Sequence, residues 1–68
     1  MPNYYVNTNA QPNGDHEVHV DNCTQGALPQ NRRQLGQHLN CQSAVMQAKM
    51  IYRTANGCAY CSSACHMG

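Results

Sequence analysis

The chain has 68 residues and a formal net charge of +1, with 10% of residues charged and neither Phe nor Trp. That length reads as one small domain, 1–68, whose hydrophobic core alone supplies only about 3–5 kcal/mol. The sparse charge excludes two classes. Disorder pairs low hydrophobicity with high net charge, and a nucleic-acid binder needs clustered Lys and Arg, whereas only Arg32 and Arg33 adjoin here.

The opening Met1-Pro2-Asn3-Tyr4-Tyr5 lacks the basic and apolar regions of a leader, and no segment is apolar enough to cross a membrane. The expectation is a cytoplasmic protein with no membrane partner. In that compartment thiols stay reduced, and clustered cysteines bind metal more often than they pair. Residues 3–7 read as a short strand by aromatic and β-branched content. Pro12, Asn13 and Gly14 then supply turn chemistry, since Gly and Asn tolerate positive φ. A second strand follows at 16–20, so the two predict an antiparallel hairpin. Alternation puts His16, Val18 and Val20 on one face and Glu17 and His19 on the other. The valines mark the core face. His16 and Glu17 read as structural or solvent-facing.

Residues 21–40 are polar and irregular, with room for a very short strand around Leu35. His38 reads as a solvated loop residue. The one convincing helix spans 41–53, with Asn40 as N-cap. Its apolar stripe is Cys41, Ala44, Val45, Ala48 and Tyr52, with Ile51 at the edge. Met46 and Met50 lie opposite. They are either a surface for a protein partner or self-association, or a face covered by the 21–40 loop. Asn56-Gly57 reads as the helix stop.

Strong aliphatics number only eight, about 12% of the chain where globular domains exceed about 20%. Five cysteines and four histidines are therefore the obvious source of the missing stability. Cys58-x-x-Cys61 is the leading half-site, because two thiolates at that spacing after a glycine can grip one ion. The same spacing occurs in redox sites, but those open a helix in a βαβ unit for which this chain is too short. A tetrahedral ion needs two more ligands. His19-x3-Cys23, leaving the end of a strand into a turn, is one candidate pair. Cys65 and His66 compete with it as alternates. Cys41, on the apolar stripe, reads as a buried inert thiol, with a disulfide as the second option. The expected cofactor is one structural zinc ion, and no catalytic residues stand out. The alternatives are an exported domain stapled by two disulfides with Cys41 left free, and a thiol-redox or metal-handling protein.

The run Tyr4-Tyr5-Val6-Asn7, Asn13-Gly14-Asp15-His16-Glu17-Val18-His19, Cys23, Leu35-Gly36, Cys41 and Asn56-Gly57-Cys58 through Cys61, Cys65 and His66 resembles a small Cys/His-rich bacterial protein family. No activity comes with that resemblance. More weakly, the paired half-sites resemble the zinc-binding domain of Ada-type DNA-repair proteins, with His19 where that pattern has a cysteine. The methyl-accepting activity of those proteins needs a basic DNA-facing surface that is missing here. The sequence thus predicts an α+β domain: a small antiparallel hairpin or sheet, one helix and a Cys-rich C-terminal turn, tied by metal and serving as a protein-interaction module.

Overall fold

Two short strands and a tight turn open the chain, in a computed structural model that describes residues 1–67. Strand β1 (Asn3–Asn7) pairs antiparallel with β2 (His16–Val20), in register Tyr4 with Val20, Tyr5 with His19 and Val6 with Val18. The turn follows from its residues. Asn13 Oδ1 accepts the Asp15 amide at 2.9 Å, and Gly14 takes a φ of 92°, which a Cβ would strain.

The sheet is larger than a hairpin. Strand β3 (Arg32–Gln37) pairs antiparallel with the free edge of β1, and β4 (Ala55–Gly57) lies parallel to β2, giving the order β3-β1-β2-β4. The sequence suggests only a very short strand at Leu35; the strand found has six residues. It is bulged: Tyr4 faces Gly36 while Tyr5 faces Gln34, so Leu35 is the extra residue. Gly36 carries the bend at φ 80°, and Leu35 turns into the core between exposed neighbours.

Helix α1 (Cys41–Lys49) starts as the sequence predicts, with Asn40 Oδ1 accepting the Ser43 amide at 3.2 Å. It stops four residues short of the expected 53. The Met50 amide turns to the Gln47 carbonyl, and the Ile51 and Tyr52 amides both reach the Ala48 carbonyl, closing the last turn. Continuing would carry Tyr52 off His16, on which its ring stacks at 3.8 Å between centroids. Asn56-Gly57, read as a helix stop, instead forms β4. His38 is also tied down rather than solvated. Its Nδ1 lies 2.9 Å from Ser43 Oγ and its Nε2 lies 2.8 Å from Gln47 Oε1, which joins β3 to the helix.

The fold is therefore α+β: one helix on a four-stranded mixed sheet. Tyr4, Val6, Val18 and Leu35 of the sheet bury against Cys41, Ala44 and Ala48 of the helix, with Ala55 and Cys65 closing the layer. Cys41 is buried, as its stripe position implies, but it is not a free thiol. It forms a disulfide with Cys65, its Cα 6.2 Å away. Both residues sit in this apolar layer, and the pairing docks the 3-10 turn Ser63–Cys65 on the helix start. This corrects the two-disulfide arrangement, in which Cys41 is the thiol left over: Cys23, Cys58 and Cys61 are the free ones.

Candidate metal centre

The opposite face of the sheet is built around β1 and β2. Alternation sends Tyr5 and His19 away from the helix, and the antiparallel register sets them side by side. Their ring centroids are 5.3 Å apart and both side chains are fully buried. Tyr5 extends under the loop after β2. Its hydroxyl accepts the Ala27 amide at 2.9 Å, and the Arg32 guanidinium lies 4.4 Å from its ring centroid while Arg32 Nε donates to the Ala27 carbonyl at 2.8 Å. The loop carrying Cys23 is thus held on this face. Gly26 passes so close to the Tyr5 hydroxyl that no side chain fits there.

The second pair of residues arrives from the C-terminal segment. Strand β4 ends at Gly57, and the Cys58 amide continues the pairing by donating to the Val18 carbonyl at 3.0 Å. A Cβ on Gly57 would lie 2.8 Å from Ser62 O and 2.9 Å from the Cys65 backbone carbon. Glycine here lets the chain fold back on itself immediately after the strand. The Ser62 amide donates to the Cys58 carbonyl at 2.9 Å and closes the knuckle.

These elements bring His19, Cys23, Cys58 and Cys61 together, with one ligand atom from each lying within 4.8 Å of all the others. Cys23 Sγ is 3.9 Å from Cys58 Sγ, and Cys61 Sγ is 3.8 Å from His19 Nδ1. Those spacings are far from a disulfide bond. The Cys23–Cys58 spacing is close to the sulfur–sulfur edge, about 3.8 Å, of a tetrahedron with metal–sulfur bonds of about 2.3 Å. Backbone amides orient two of the sulfurs: Tyr60 N–H points at Cys58 Sγ and Val20 N–H at Cys61 Sγ, each at 3.4 Å. Burial, with a smaller push from Arg32, holds His19 below the ordinary imidazole range, against the opposing pull of Glu17. The ring is therefore neutral near pH 7, the form that ligates metal. Burial likewise raises the Tyr5 phenol, so it stays protonated beside the cluster. This face can hold a metal ion.

The competing half-site is not part of this cluster. Cys65 is committed to Cys41, and His66 Nδ1–H donates to the Gly57 carbonyl at 3.0 Å. Spacing alone leaves Cys61-x3-Cys65 open as one helical turn, but the chain bends between them and sends Cys65 to the helix face. Glu17, read from the sequence as structural or solvent-facing, lies beside the cluster. Its Oε1 lies 3.4 Å from His19 Nε2, and its side chain is only 17% exposed. The signal was present in strand alternation, which places Glu17 and His19 on one face.

Comparison with protein-family models, with curated proteins and with solved structures finds no match. No helix among the described residues is long and apolar enough to cross a membrane.

Proposed function

We propose that the chain is a small structural zinc-binding domain, with one zinc ion held by His19 Nδ1 and the thiolates of Cys23, Cys58 and Cys61. The observation that carries this reading is the convergence of four ligand atoms within 4.8 Å, drawn from two segments far apart in sequence. One nitrogen and three sulfurs within reach of a single ion suit zinc, which favours closed four-ligand sites in structural roles. Four protein ligands leave no open coordination position, which supports a binding role over a catalytic one. A site of this kind stabilises the fold directly, because the unfolded chain has no preformed cage.

Metal content, native mass spectrometry and thermal melting test the reading together. One zinc per chain is expected, with EDTA lowering the melting temperature sharply. A chain that keeps its melting temperature in chelator overturns it.

The role of such a domain would be to present a surface to a protein partner or to a second copy. Met46 and Met50, 71% and 88% exposed on the outer side of the helix, support that reading, because no loop among the described residues covers them. Sedimentation of the parent chain against M46S/M50S tests for self-association. The cytoplasm suits the reduced thiolate cluster. Burial of both Cys41 and Cys65 would shelter their disulfide there.

A further inference from the structure

The proposed zinc site leaves one buried feature unexplained: a carboxylate stands beside it. An ion of charge +2 with three thiolates and a neutral imidazole sums to about −1. A further negative group at that place is repulsive unless something between them is positive. Yet Glu17 keeps its carboxylate there, and among the described residues His19 is its only ion-pair partner.

The two nitrogens of His19 face different groups. Nδ1 lies 3.8 Å from Cys61 Sγ, on the side of the thiols, and Nε2 lies 3.4 Å from Glu17 Oε1. A neutral imidazole has one N–H and one lone pair, and an ionised carboxylate only accepts. The nitrogen beside Glu17 is therefore the one that carries hydrogen, which leaves the Nδ1 lone pair for the ion. The 3.4 Å separation is a few tenths of an ångström longer than a good N–H···O bond. It is an ion-pair contact, with the Glu17 side chain 17% exposed. Strand β2 sets the arrangement, since residues two apart on a strand share a face. Pairing on both edges, to β1 and to β4, holds that strand in place; Glu17 itself is partnered with Asn56.

We propose that Glu17 is a positioning residue of the metal centre, an outer carboxylate that fixes His19 in the tautomer whose Nδ1 binds the ion. The proposal rests on the zinc reading above and extends it to a residue that does not touch the metal. Carboxylate–histidine–metal contacts of this type orient the ring and raise its basicity, and their loss usually costs 10–100-fold in metal affinity.

The test uses the full chain loaded with zinc, with affinity read by competition against a chromophoric chelator and the ring state read by long-range nitrogen–proton NMR of labelled histidine. The wild type should bind one zinc, with His19 protonated at Nε2 and ligated through Nδ1. Glu17→Gln keeps the shape and one acceptor oxygen but loses the charge. It should bind one zinc with affinity reduced about tenfold, and the Nε2–H resonance should shift. Glu17→Ala should lose more. Zinc binding by Glu17→Gln within about twofold of wild type, or ligation of wild-type His19 through Nε2, overturns the role of Glu17 and leaves the zinc site standing. A wild-type chain that binds no zinc overturns both. Should Glu17→Ala fail to fold, the isosteric Gln variant and the wild-type ring tautomer still decide the question.

Discussion

Tyr5 and His19 face each other across β1 and β2, and the Tyr5 hydroxyl runs on to anchor the Ala27 amide of the loop that carries Cys23. One side chain thereby supports two members of the Cys/His cluster. Tyr5→Phe should keep the ring packing but leave that amide unpartnered, lowering stability by about 1–2 kcal/mol. Gly26→Ala should be worse, because its methyl would overlap the Tyr5 hydroxyl. Removing that hydroxyl relieves the worst overlap, so Tyr5→Phe should partly rescue Gly26→Ala. Denaturant midpoints of the two single variants and the double variant, all with zinc, measure the coupling. Strict additivity would show that Gly26 and the Tyr5 hydroxyl are not in contact.

Free-thiol counting separates the cysteine arrangements. The folded chain has three free cysteines and one disulfide. Alkylation in denaturant with chelator should therefore label three thiols before reduction and five after. Five before reduction would mean that Cys41 and Cys65 are unpaired, and one would mean that the cluster is a disulfide.

The disulfide and the candidate metal cluster lie on opposite faces of the sheet and should act separately. Cys41 and Cys65 are 24 positions apart, and closing a loop of that length stabilises by about 3 kcal/mol. Cys41→Ala with Cys65→Ala should lower stability by about that amount while zinc stoichiometry stays at one. Loss of zinc in the double variant would show that the pair belongs to the site.

Acid should weaken the fold through His19. Its folded form titrates below the ordinary value of 6.5, chiefly because it is buried. Below that pH the unfolded chain takes up a proton that the folded chain refuses, so stability is present above it and is lost as pH falls. Ligation of the neutral ring by a metal ion would act in the same direction. The denaturation midpoint of the zinc-loaded chain should fall between pH 7 and pH 5. A midpoint unchanged over that interval would rule out a buried, neutral His19.

The parts of this fold that speak in the sequence are those with local rules. Alternation in 16–20 separates Val18 from His19, and Asn40 announces the helix start. The Pro12–Gly14 turn joins the first two strands. What stayed hidden depends on partners distant in the chain. Ala55-Asn56-Gly57 has no strand propensity; it is extended because Val18 and its neighbours offer a free edge, and because buried Asn56 is bonded to Asp15 Oδ2 and the Met67 carbonyl. The helix end moved for the same reason, since Tyr52 is held by His16. Among the cysteines, spacing presents Cys58 and Cys61 as a pair. It carries no information about which face Cys65 reaches after the turn.

Strands β2 and β4 run the same way, so both deliver their ligands to one rim of the sheet. Cys58 can stand beside His19 only when Gly57 is level with Val18. The chain between these strands includes β3 and the helix, so this pairing is among the most sequence-distant in the molecule, whereas His19 and Cys23 are near neighbours from the start. Cys58 and Cys61 are equally local, so each half of the cluster forms within its own segment and the four ligand atoms meet only when β4 docks beside β2. Stopped-flow uptake of cobalt, followed by its thiolate absorption, would then clock the final step of assembly.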